Sequence, residues 1–163
     1  MRNGAIRPEG AIRMAMGDLF QNPILIPALL AWTVAQTSKV PVEWARRRRW
    51  NLGLLISAGG MPSSHAALVS AMATAVGLRE GLASTAFAIS LIVALIVMYD
   101  AAGVRRAASI QARLLNQILD ELFAGRPLSE QRLKELLGHT PMEVVAGAAL
   151  GITMAALWWH LAP

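Results

Sequence analysis

From Gly81 to Tyr99 the chain runs without a single charged side chain and is rich in Ile, Leu, Val and Ala. A helix needs roughly 20 such residues to cross the hydrocarbon of a bilayer, so this stretch predicts a spanning helix. Two other segments share its character. Pro23 to Val40 carries only Lys39, and Glu143 to Leu161 carries only its first residue and His160 as charged or imidazole groups. A fourth element is interrupted: Leu52 to Ile56 is too short to cross, Ser57-Ala-Gly-Gly60 breaks it, and Pro62 restarts a helix that runs through Leu78. Broken backbone is tolerated at membrane depth only where it is buried in protein or lines a wet cavity. The break therefore points to a polar site and predicts a partly re-entrant pair.

Composition agrees with a membrane protein. The 163 residues are 55% hydrophobic, yet the formal net charge is +5. A nucleic-acid module would not normally carry long uncharged apolar stretches beside its arginines, so no nucleic-acid partner is expected. The chain has no cysteine, which excludes disulfides and thiolate metal sites. No compact apolar core with a small-residue cleavage site follows Arg2, Arg7 and Arg13, so no cleavable signal peptide is expected.

A single membrane domain over residues 1–163 is predicted, all-α, with about four membrane-embedded helices, one of them interrupted. Inserted in it, residues 107–138 read as an amphipathic surface hairpin. Ile110, Leu114, Leu115, Ile118 and Leu122 form one stripe opposite Gln111, Arg113, Asn116 and Asp120, which are expected to be solvated, and Gly125-Arg126-Pro127 turns the chain. If the four segments cross in turn, Lys39, Arg46, Pro62 to His65, Asp100 to Arg106 and His139 converge on one side. That side also holds the run Arg46 to Arg49, Arg113, Arg126, Arg132 and Lys134, against Arg2, Arg7, Arg13 and Arg79 opposite. The positive-inside tendency then places the convergent face in the cytoplasm, and the protein in the plasma (inner) membrane.

Two of the three histidines open helices. His65 follows Met61-Pro-Ser-Ser64, and His139 precedes Glu143 by four residues. The residues Thr140-Pro-Met-Glu143 also read as a capping box with proline at the first helical position, so Glu143 has a structural reading beside a chemical one. His160, next to Trp158 and Trp159, reads as an interface anchor. The run Arg46 to Arg49 reads, on its own, as an anchor meeting anionic headgroups.

The order of these residues resembles the type 2 phosphatidic acid phosphatase superfamily, which includes membrane lipid phosphatases and vanadium haloperoxidases. Its signature is Lys-x6-Arg-Pro, then Pro-Ser-Gly-His, then Ser-Arg-x5-His-x3-Asp. Lys39 and Arg46 match the first part, with Arg47 in place of proline. Pro62, Ser63 and His65 match the second, with Ser64 where glycine is usual. His139 and Glu143 match the acidic half of the third, followed by Val144, Ala146 and Gly147. No arginine precedes His139 at the family's spacing, and Arg105 or Arg106 is expected to supply that cation, with the hairpin inserted between the two halves.

The resemblance implies a metal-independent, cofactor-free hydrolase acting on a lipid or isoprenoid phosphate monoester or diphosphate. Charge grows on the transferring oxygens in such a reaction, so fixed cations and donors carry much of the catalysis. Lys39, Arg46, Arg105 or Arg106, Ser63 and Ser64 form the expected phosphate cradle. His139 attacks phosphorus to give a phosphohistidine, His65 protonates the leaving oxygen, and Glu143 orients His139. Asp100, just beyond an apolar span, is a further candidate. Expected partners are the phospholipid or isoprenoid phosphate and membrane lipids, and a homodimer is compatible with the little surface four helices bury. A second reading, favoured by Ser64 and the split third motif, is a non-catalytic scaffold or lipid-phosphate-binding protein that retains the cradle. A small transporter fits the broken helix but lacks an acidic relay within its spans.

Overall fold

The computed structural model describes residues 19, 21–57, 59–103, 110–112, 114–118 and 139–162. They form an all-helical bundle with four long helices: α1 Leu25–Arg47, α2 Ser64–Glu80, α3 Thr85–Ala102 and α4 Pro141–Leu161. A short 3-10 turn at Leu52–Leu55 lies between α1 and α2.

Helix α2 sits at the centre and packs against α1, α3 and α4. Its buried residues are small, among them Ser64, Ala66, Ala67, Ser70, Ala71, Ala73 and Ala75. The largest core cluster is entirely alanine at its heart, from Ala28, Ala31 and Ala35 on α1 through Ala67, Ala71 and Ala75 on α2 to Ala155 on α4. Large apolar side chains point outward instead, including Ile89, Ile92, Leu95 and Ile96 on α3 and Val145, Ile152 and Leu157 on α4. In water that arrangement would expose a destabilising patch. In lipid it is the expected one, because tails solvate Leu and Ile while small residues let helices approach closely. By length and composition, α3 and α4 can each cross a membrane.

The closest approach joins α2 and α4, which run parallel. Val144, Gly147, Gly151 and Ala155 form the buried stripe of α4. A Cβ placed on Gly147 would fall onto the carbonyl oxygen of Ser63, and one on Gly151 onto that of Ala67. The four-residue spacing of the glycines thus matches the four-residue spacing of the carbonyls they accommodate.

Helix boundaries differ from the sequence expectation in several places. Helix α1 continues past Val40 through Pro41 to Arg47, supported by an Arg47–Glu43 ion pair at 3.4 Å, and ends where Arg48 turns left-handed at φ 55°. Helix α3 begins at Thr85 rather than Gly81, because Gly81 has φ 85° and the Ser84 hydroxyl caps the Phe87 amide at 3.1 Å. The segment at Leu52–Leu55 is a 3-10 turn with no buried residue, started by Asn51 accepting from the Gly53 amide at 3.1 Å. Ser63, not Pro62, caps α2, and the Met61–Pro62 peptide is cis.

Of the predicted hairpin, residues 110–112 and 114–118 are helical, and the rest lies outside the described residues. There Ile110, Leu114, Leu115 and Ile118 are exposed, as are Gln111 and Gln117, while Ala112 and Asn116 are buried. Asn116, expected on the solvated face, therefore points inward, and the apolar stripe faces out.

One buried polar side chain ties the turn to the bundle. The Gln36 amide nitrogen on α1 donates to the carbonyl oxygens of Leu54 at 3.2 Å, Leu55 at 2.8 Å and Ser57 at 3.3 Å. Replacing it with leucine removes the donor shared by all three. Gln36→Leu is expected to cost about 1–3 kcal/mol, read as a lowered unfolding midpoint in detergent; an unchanged midpoint would show that water serves these carbonyls equally well.

Candidate phosphate site

The polar residues gather at the end of the bundle where α1 and α3 finish and α2 and α4 begin. Three backbone-level links define this end. The Ser63 amide donates to the Glu143 carbonyl at 2.9 Å, joining the starts of α2 and α4, and the His139 amide donates to the Ala101 carbonyl at 3.1 Å, joining α4's leader to the last turn of α3. Lys39 reaches back from α1, its Nζ donating to the Ser57 carbonyl at 3.2 Å.

His139 is 1% exposed, as is Lys39. The His139 Nδ1 lies 3.2 Å from Glu143 Oε2, and that same oxygen accepts the Thr140 amide at 2.9 Å. The Thr140 hydroxyl in turn accepts the Glu143 amide, completing a capping box. The structural and chemical readings of Glu143 therefore coexist: one carboxylate oxygen caps α4 and holds the imidazole. Glu143 accepts from Nδ1–H, which leaves Nε2 as the unprotonated ring nitrogen. Nε2 is buried and has no hydrogen-bond partner among the described residues. Leaving such an atom dry costs about 1–3 kcal/mol, and unmet buried groups of this kind concentrate where a ligand completes them.

The His65 ring centroid lies 6.4 Å from that of His139, tilted by 57°. His65 is half-buried in the first turn of α2. Ser63 is the cap of that helix, its Oγ accepting the Ala66 amide at 3.3 Å, so its hydroxyl hydrogen remains available to donate. Ser64 is likewise buried. The start of a helix presents unpaired amides and the positive end of the dipole, both suited to an anion.

A cavity of about 610 Å³ opens beside these groups, lined among others by Lys39, Arg46, Arg47, Gly60, Thr140 and Glu143. Arg46 is exposed at its rim, with Nη1 3.6 Å from the Met61 sulfur. Gly60 has φ 93° and lies against the Lys39 stem, where a Cβ would sit 3.6 Å from Lys39 Cδ. The structure thus brings together Lys39, Ser63, Ser64, His65, His139 and Glu143, with Arg46 at the cavity mouth. Asp100 is half-buried in the last turn of α3, one residue before the Ala101 that receives the His139 amide. Arg105 and Arg106 lie outside the described residues.

Two contributors carry no motif. Gln36 holds the Ser57 carbonyl that receives Lys39, and Gly151 extends the close approach begun by Gly147. A lone amide in an apolar helix, three residues before a lysine, is the signal that could have found Gln36, since polar groups within membrane helices are functional candidates by default.

Burial holds the His139 imidazole below its ordinary value of 6.5; the Glu143 carboxylate opposes this and the charges of Lys39 and His65 add to it. The imidazole is therefore neutral at pH 7. An unfolded chain protonates this ring near 6.5, whereas the folded one resists until lower pH. Stability is thus greatest above 6.5 and falls as pH drops below it. Unfolding midpoints followed from pH 8 to 5 should show this loss, and the slope should be shallower in His139→Gln. Equal slopes would mean that His139 titrates alike in both states.

These features define a class, a helical membrane protein with paired histidines and a lysine at the mouth of an alanine-packed bundle, as in the type 2 phosphatidic acid phosphatase superfamily. The chain belongs to the divergent PAP2 family, whose sequence model matches residues 20–154. It is 41% identical over 148 residues to the uncharacterized membrane protein YuiD of Bacillus subtilis (strain 168), covering 84% of this chain and 94% of that one. No solved structure matches it.

Proposed function

We propose that the protein is a membrane phosphatase that hydrolyses a lipid or isoprenoid phosphate through a phosphohistidine. The observation that carries this reading is the state of His139: Nδ1 engaged by Glu143, Nε2 buried without a partner among the described residues, and Lys39 and His65 close enough to act on its charge. A neutral imidazole held at one nitrogen is a nucleophile at the other. Nε2 attacks phosphorus, the bond to the lipid oxygen breaks, and His65 delivers a proton to that oxygen. Water, deprotonated by His65, then cleaves the N–P bond and releases phosphate. Lys39 and Arg46 neutralise the phosphoryl oxygens, Arg46 offering a planar fork and Lys39 a point charge, with Arg105 or Arg106 as the third cation.

The cationic end, with Lys39 and Arg46 to Arg49, faces the cytoplasm by the positive-inside tendency. A site at that level suits a substrate whose tail stays in lipid while its headgroup enters the cavity.

The test is phosphate release by detergent-solubilised protein from a panel of lipid and isoprenoid phosphates in chelator. Release is expected to persist in chelator; loss of activity restored by magnesium would sink the metal-independent mechanism. A folded wild type that binds lipid phosphate but releases nothing from any substrate would instead establish the non-catalytic reading, which Ser64 in the second motif favours.

A further inference from the structure

A second cavity, of about 510 Å³, adjoins the first and is lined by Glu43, Arg47, Arg49, Trp50 and Asn51. Glu43, Arg47 and Asn51 line both. The phosphatase reading uses only Arg46 from the run Arg46 to Arg49 and leaves this second space without a role.

Its chemistry is that of an anion site at a membrane surface. Arg47 is partly neutralised by Glu43 at 3.4 Å, so Arg49 and the neighbouring Arg48 leave a net positive charge. Asn51 Oδ1 is committed to the Gly53 amide, which leaves its amide hydrogens to donate, and the Trp50 indole N–H is another donor. The walls are fixed by aromatic stacking: Trp44 and Trp50 rings lie 5.6 Å apart, and the Arg48 guanidinium sits 5.1 Å from the Trp44 centroid. Immediately after Asn51, the chain exposes Leu52, Leu55 and Ile56, the last at 93%. Cations and indoles beside outward apolar side chains are the composition of a segment that lies in the headgroup and upper acyl region.

We propose that this cavity is a retention site for the headgroup of an anionic phospholipid, bound without being cleaved. The phosphodiester meets Arg49 and the Asn51 and Trp50 donors, and the tails lie against Leu52, Leu55 and Ile56. None of the five lining residues is a histidine, serine, threonine or cysteine, so the bound phosphodiester faces no nucleophile of those types. The site is independent of whether His139 performs catalysis.

The experiment is thermal unfolding of the full chain in detergent micelles supplemented with phosphatidylglycerol, phosphatidylcholine or inorganic phosphate. Phosphatidylglycerol is expected to raise the midpoint, and the effect should shrink in high salt, as exposed charge pairing does. Phosphatidylcholine should leave it unchanged, and any rise caused by inorganic phosphate, which the Lys39 and Arg46 cavity attracts, should be the same in Arg49→Gln. Arg49→Gln should weaken the apparent affinity for phosphatidylglycerol at least tenfold while matching wild type in phosphatidylcholine. Native mass spectrometry of delipidated protein supplies an independent readout: one phosphatidylglycerol retained by wild type and lost in Arg49→Gln. Equal stabilisation by phosphatidylcholine, a response to inorganic phosphate that disappears in Arg49→Gln, or undiminished lipid retention by Arg49→Gln would each overturn the proposal.

Discussion

His139→Ala is expected to lower phosphate release by about 1,000-fold or more, the scale seen when a nucleophile or its base is removed from a catalytic triad. The variant should still fold, because the His139 amide keeps its bond to the Ala101 carbonyl and Glu143 keeps its cap on Thr140. Acid-labile, base-stable phosphate trapped on wild type should be absent from the variant. Glu143→Gln sharpens the test. A single oxygen, Oε2, accepts both the Thr140 amide and His139 Nδ1, so a glutamine carbonyl oxygen can replace it in both bonds, and glutamine is a normal partner in a capping box. Only the negative charge is lost. A charge-assisted hydrogen bond contributes about 1.5–3 kcal/mol, and each 1.36 kcal/mol is about tenfold in rate, so a loss of roughly 10- to 100-fold is expected. If Glu143→Gln retains full activity while His139→Ala loses it, Glu143 is a cap and not a partner in the chemistry. If both retain activity, the phosphohistidine reading is wrong.

Much of this site was legible because its chemistry is local in sequence. Glu143 stands four residues after His139, so a helix start alone brings carboxylate and imidazole together. Ser63 and His65 belong to one helix entry, and Pro62 marks its approach. The links between motifs are of another kind. Lys39 meets the Ser57 carbonyl in the turn that Gln36 holds against α1, and the glycines of α4 admit the backbone of α2 beside Glu143. Neither contact has a local pattern. At Leu52 to Ile56 the interruption was legible but its cover was not: hydrophobicity says that these side chains avoid water, but not whether protein or lipid covers them. Asn116 shows the reverse error, since a polar residue opposite an apolar stripe reads as solvated only when the solvent is water. In a bundle whose large side chains face lipid, the inward positions fall to small and polar residues.

The largest expected structural effect follows from that inversion. Gly147→Ala and Gly151→Ala each add one methyl group, aimed at the Ser63 and Ala67 carbonyls respectively. Overpacking a core typically costs about 1–3 kcal/mol when side chains can shift, but here the obstacle is backbone held in a helix. The helices must separate, at a cost of about 3 kcal/mol or more. At about 2–4 °C per kcal/mol for a chain of this size, the unfolding midpoint should fall by at least ~6 °C in either variant. Their effects on activity should differ. Gly147 contacts the residue that caps α2 and whose amide bonds Glu143, so displacing it moves His65 away from His139. Gly151 acts one helical turn further from the site. Phosphate release measured well below both midpoints should therefore fall sharply in Gly147→Ala and much less in Gly151→Ala. Equal activity losses would mean that the helices separate as rigid bodies, and unchanged midpoints would mean that α2 and α4 do not pack this closely in the membrane.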